Sequence, residues 1–162
     1  MTITFQEERF VDAWPEFEIL AREHWAETMA PVTDDEFTPD TKRYAQLNDN
    51  GFYRLYTVRK NGVLMGNLGI YITDSMHTRK IVAQEDSWYM RPEIRTGRTS
   101  MRFVQYVEQE LIKHGVTSVN TTTPPKAKSR RLLEYMAYSH TANCYHKELR
   151  YVLIQPSCPS RA

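Results

Sequence analysis

From Lys80 to about Glu108 the chain reads as a strand, a tight basic turn and the start of a helix, and the rest must be arranged around that unit. Trp88, Tyr89 and Met90 suit a pleated, half-buried surface, and Pro92 ends the strand. Beyond the turn, Phe103, Val104, Val107 and Leu111 recur at helical spacing, and Gly115 stops the helix. A helix start exposes unpaired backbone N–H groups at the positive end of the helix dipole, so it attracts anions. Arg95, Arg98 and Arg102 add guanidinium forks that match phosphate oxygens. The turn Arg95-Thr96-Gly97-Arg98-Thr99-Ser100 is therefore expected to cradle a pyrophosphate; a solvated basic turn is the plainer alternative.

The flanking segments are short and regular. A first strand over Thr2–Phe5 leads to a helix with Pro15 in its first turn and Phe17, Leu20, Ala21 and His24 along one stripe, Trp25 beside them. Thr38-Pro39-Asp40 supplies the cap and first turn of a second helix that carries Tyr44 and Leu47 and ends at Gly51. Strands over Phe52–Arg59 and Val63–Thr73 flank the hairpin turn Lys60-Asn61-Gly62, and Gly66 and Gly69 leave room for something to approach the second strand. After a polar loop holding His77 comes the central strand, the long helix over Thr99–His114, a strand over Val116–Thr122 and a basic helix over 126–137. Residues 138–154 are expected to supply one long or two short final strands. With 162 residues the chain fits one domain, taken as 1–155, with 156–162 a loose tail.

The order β-α-α-β-β-β-α-β-α-β, with Pro92-Glu93-x-Arg95 leading into a helix, resembles the GNAT superfamily of acyl-CoA-dependent N-acetyltransferases over roughly residues 2–150. That family's loop reads Gln/Arg-x-x-Gly-x-Gly/Ala; here Arg95 and the small Ser100 match, while Arg98 stands at the middle glycine. Glu134-Tyr135-Met136-Ala137-Tyr138 resembles the Glu-Lys-Leu-Gly-Phe ending of the family's last helix. His24-Trp25-Ala26-Glu27, His77 and the pair Glu85-Asp86 are similar to a phage-associated subset with a degenerate pyrophosphate loop. The resemblance implies a mixed α/β (α+β) fold, a mostly antiparallel sheet with helices on both faces, and acetyl-CoA as donor without a metal. It also implies backbone of Trp88, Tyr89 and Met90 for the pantetheine arm, and Lys126 and Ser129 as further contacts to the donor.

Acyl transfer to an amine needs a base for the amine and a proton for the leaving thiolate. Glu85 and Asp86 are neighbours on a strand and point to opposite faces. Asp86 has the parity of Gln84, the position matching the family's glutamate base, and is preferred; Glu85 follows closely, and a salt bridge at the strand entrance is the alternative for both. Imidazole titrates near neutrality, which makes the loop residue His77, close to the acidic pair in sequence, a candidate base, although a loop histidine is more often simply solvated. The family's acid, a tyrosine on the last helix, is replaced by Leu133, which leaves Tyr135 or Tyr138 as substitutes. His24 and Trp25 would sit at the acceptor mouth, with core packing as their alternative.

The formal net charge of +1 carries no footprint for nucleic acid or membrane, although a basic stretch at Lys126–Arg131 stands apart. Cys144 and Cys158 have neither metal-ligand spacing nor a disulfide framework, and no signal peptide or membrane-length apolar run shows, so a cytoplasmic setting is expected. Alternation through Tyr145, Leu149, Tyr151 and Leu153 predicts an apolar edge covered by a second copy, giving a homodimer. The acceptor amine cannot be read from the residues, and a non-catalytic binding protein on the same fold is the competing class.

Overall fold

A computed structural model describes residues 2–124, 127–145 and 147. In chain order it contains β1 (Ile3–Glu8), α1 (Phe10–Thr28), α2 (Thr41–Asp49), β2 (Tyr53–Lys60), β3 (Val63–Asp74), β4 (Ile81–Met90), α3 (Gly97–Lys113), β5 (Val116–Asn120) and α4 (Lys128–Tyr135). Among the described residues the strands form one sheet in the order β1-β2-β3-β4-β5. All neighbours are antiparallel except β4 and β5, which are parallel, so the expected mixed, mostly antiparallel α/β fold is the one observed.

The β2–β3 hairpin closes through Asn61 and Gly62 at φ of 50° and 85°, the left-handed pair that matches strand twist. Alternation along β2 then divides the core. Tyr56 and Val58 join Phe103, Val107 and Leu111 of α3 on one face, while Tyr53 and Leu55 join Phe10, Phe17 and Leu20 of α1 on the other. The space over Gly69 is taken by this chain's own Tyr53 hydroxyl and Ser87 Oγ, and that over Gly66 by Met90.

Helix α1 starts earlier than expected, with Pro15 inside it rather than in its first turn. Its N-cap, Arg9, makes no side-chain cap; instead Asn48 Oδ1 of α2 accepts the Phe10 N–H at 2.9 Å, and Asn48 Nδ2 donates to Tyr53 O at 3.0 Å. A cap borrowed from another helix leaves no local signal.

At the end of α4 the Tyr138 N–H bonds to Leu133 O and the Ala137 N–H to Glu134 O, the pairing that puts a left-handed residue after the helix. Ala137 occupies that place at φ 65°. An L side chain is strained there, so Ala137→Gly is expected to stabilise the protein by about 0.5–1 kcal/mol and raise its melting temperature by a few degrees. An unchanged or lower melting temperature would show that backbone entropy outweighs the strain.

Residues 138–145 carry no strand, which shortens the expected final strand region. Residues 146 and 148–154, the tail, Lys126 and most of the edge on which a homodimer was expected lie outside the described residues. No helix among the described residues is long and apolar enough to cross a membrane.

Candidate active site

The last pair between β4 and β5 is Gln84 with Asn120. β5 ends there, whereas β4 runs on to Met90 against β3. From Glu85 onward one side of β4 therefore faces an opening. Glu85 bridges the start of this opening: its Oε2 accepts the Thr122 N–H at 2.9 Å and the hydroxyls of Thr122 and Thr121 at 3.1 and 3.3 Å. Burial lifts its carboxyl above the usual range, opposed by these threonine bonds.

Main-chain direction along β4 follows from its pairing. The Arg91 N–H donates to Met65 O at 2.8 Å and Tyr89 pairs with Asn67, which turns the main-chain groups of both toward β3. Those of Trp88 and Met90 turn to the open side. Of the three residues expected to offer backbone to a pantetheine arm, Tyr89 is thus spent on the sheet. Met90 O is also taken, by Arg95 Nε at 2.8 Å. Among the described residues, Trp88 N–H and C=O and Met90 N–H remain.

A bulge sits between Gly69/Ile70 and Ser87/Glu85, leaving Asp86 as the extra residue. By ordinary alternation Glu85 lies on the α3 side and Asp86 on the α1/α2 side; the bulge resets the pattern only after Asp86. There the Tyr44 hydroxyl donates to Asp86 Oδ2 at 3.0 Å, and the hydroxyls of Tyr53 and Tyr71 stand close by. Tyr53 is wholly buried and its hydroxyl makes no hydrogen bond of good geometry. Burial raises the Asp86 carboxyl, opposed by the tyrosine hydroxyls. The three phenols are themselves pushed upward, first by burial, and stay neutral donors. The sequence reading missed this tyrosine ring, because its members lie on α2, β2 and β3 and no local pattern links them.

At the start of α3 the Thr96 hydroxyl accepts the Thr99 N–H at 3.3 Å, and the Ser100 N–H closes on Thr96 O at 2.9 Å. The Gly97 and Arg98 N–H groups have no partner among the described residues, and a Cβ built on Gly97 would meet nothing within 4 Å. Arg98 is exposed. Arg102 lies over the Phe5 ring at 5.9 Å. Ser100 is buried against Met90 Sδ at 3.5 Å, so a small residue is needed there.

Arg95 is not a free cation. Its Nη1 and Nη2 hold Glu27 at 2.6 and 2.8 Å, and its plane lies 5.2 Å from the centre of Tyr89. His24 stacks on the same ring at 5.4 Å, and burial lowers its pKa. Trp25 packs on Phe37 at 5.7 Å. Both line the cleft as well as packing.

His77 does not join this group. It is exposed in the β3–β4 turn, four residues before β4 begins, and is not among the residues lining the cleft. Asp86 is five residues into β4, so at about 3.3 Å per residue the first half of the strand lies between it and the turn that holds His77. The Tyr138 hydroxyl donates to Glu108 Oε1 at 2.8 Å, and burial raises its pKa, which makes it a poorer proton donor. Ser129 shares a short hydrogen bond with Thr123 Oγ1 and so fastens α4 to the exit of β5. Tyr135 is 79% exposed, and Leu133 is buried in the core.

Among solved structures the chain is similar to an aminoglycoside acetyltransferase from an uncultured soil metagenomic sample in complex with sisomicin (TM-score 0.72, 12% identity, 91% of this chain and 97% of that one). It is also similar to a ribosomal-protein-alanine N-acetyltransferase from Brucella melitensis (TM-score 0.71, 16% identity, 92% and 100%). A third is a predicted acetyltransferase with acetyl-CoA from Clostridium acetobutylicum (TM-score 0.69, 10% identity, 91% and 96%). By sequence, no family model and no curated protein matches. The likeness is therefore one of fold, the GNAT acetyltransferase fold along nearly the whole chain.

Proposed function

We propose that the protein is an acetyl-CoA-dependent N-acetyltransferase acting on a primary amine. The observation that carries this reading is the parting of β4 from β5 beside a helix start whose Gly97 and Arg98 N–H groups have no partner among the described residues, with a half-buried carboxylate, Asp86, on the same stretch of β4. The acetyltransferase activity of its structural neighbours supports the same class.

In this reading the donor's diphosphate takes the N–H groups of Gly97 and Arg98 and the guanidinium of Arg98, with Arg102 nearby. The pantetheine arm runs along Trp88 and Met90. The amine nitrogen attacks the thioester carbon, the C–S bond breaks, and sulfur leaves as the thiolate with its electron pair. Asp86 takes the amine proton. Solvent protonates the thiolate, since Tyr138 is bonded to Glu108 and no tyrosine stands at Leu133. Glu85 is a positioning residue that ties the exit of β5 to β4 where the strands part.

A second reading, an accessory binding protein of the phage-associated kind, is favoured by Arg98 at the glycine position and by Leu133. Release of free thiol from acetyl-CoA with a panel of primary amines separates the two. Amine-dependent release, with the product amine heavier by one acetyl group, is expected of the enzyme. Acetyl-CoA binding without release across the panel would support the accessory protein instead.

A further inference from the structure

Glu23 and Glu27 stand one turn apart on α1. Opposite them, Arg91 and Arg95 stand one turn apart after β4, where the Arg95 N–H closes on Arg91 O at 3.1 Å. Each arginine holds its glutamate with two bonds: Arg91 to Glu23 at 2.9 and 2.7 Å, Arg95 to Glu27 at 2.6 and 2.8 Å. The two pairs differ in how they are kept. Side-chain exposure is 23% and 36% for Arg91 and Glu23, against 40% and 46% for Arg95 and Glu27.

Arg95 also has supports that do not involve Glu27. Nε is fixed to Met90 O at 2.8 Å, and the guanidinium face rests on Tyr89, which His24 covers in turn. Only the outer edge of the fork, Nη1 and Nη2, is given to Glu27. That edge can change partner without moving the stem, and Arg95 stands two residues before Gly97, whose N–H has no partner among the described residues.

We infer that Glu27 is a built-in stand-in for the donor's diphosphate. It occupies the fork of Arg95 and yields it when the diphosphate arrives. A planar fork suits either carboxylate or phosphate oxygens, and an exposed ion pair is a weak bond, so the exchange costs little. The released carboxylate stands on α1 beside His24 and Trp25, both of which line the cleft, where it presents a negative charge to an ammonium acceptor. Donor binding thereby creates part of the acceptor's site, and each ligand raises affinity for the other by the same factor. This inference rests on the acetyl-CoA reading above.

The test is titration calorimetry with CoA, which binds without turnover. Glu27→Gln frees the fork and is expected to tighten CoA binding about two- to fivefold, the factor an exposed pair withholds. Arg95→Gln weakens it about tenfold or more, because a charge-assisted bond is lost. The double variant should match Arg95→Gln alone, and Glu23→Gln, which leaves the fork paired, should match the wild type. If Glu27→Gln binds CoA no more tightly than the wild type, the pair is a structural clasp and the exchange is wrong. If the folded wild type does not bind CoA, the acetyltransferase reading fails first and takes this inference with it.

Discussion

Replacing Asp86 with Asn lowers the rate of acetyl transfer by about 10²–10⁴-fold, the usual worth of a general base, while acetyl-CoA binding is unchanged. Burial holds the Asp86 carboxyl above its ordinary pKa, with the tyrosine hydroxyls opposing. The ionised form is the base, so the rate rises as pH passes upward through that raised value, and in Asp86→Asn the rise disappears. Stability has the opposite sign. A carboxyl whose pKa is higher folded than unfolded binds its proton more tightly in the native state. Its contribution is fully present below the unfolded pKa and is lost as pH rises through the folded one. The Asn variant is thus expected to be as stable at neutral pH as the wild type, or more so. A pH–rate profile with parallel melting curves measures both effects. A full rate in Asp86→Asn would move the base elsewhere.

Gly97→Pro weakens acetyl-CoA binding about 10–100-fold, the worth of one hydrogen bond to a charged group, without unfolding the protein. Gly97 is the first residue of α3, where proline is well tolerated because its missing N–H has no helical partner. Thr96, at φ −95° and ψ 148°, already has the extended backbone required before proline. The added ring atoms start into open space. The substitution therefore deletes a donor from the cradle and little else. Calorimetry beside a melting curve reads the result, and undiminished affinity in a folded variant would place the diphosphate away from this turn.

The central unit was legible in the sequence because each part has a local cause. Apolar spacing marks α3, Pro92 ends β4, and Asn61-Gly62 forces the hairpin. Opposite directions for Glu85 and Asp86 followed from strand alternation, which the bulge resets only after Asp86. What stayed hidden depends on tertiary contact. The tyrosines around Asp86 come from three elements, and the cap of α1 comes from Asn48 on α2. His77 stands near Glu85 and Asp86 in sequence, but the turn and the first half of β4 separate them. Arg95 was read as a free cation because its partner, Glu27, lies 68 residues away. A signal for that pairing existed: two glutamates and two arginines, each four apart, on segments that the fold lays side by side.

The most direct measurement is a crystal structure with acetyl-CoA bound. The expected density has the diphosphate within hydrogen-bond reach of the Gly97 and Arg98 N–H groups, the arm along Trp88 and Met90, and the thioester beside Asp86. Density elsewhere, or none at saturating acetyl-CoA in a lattice that leaves the cleft open, would contradict it.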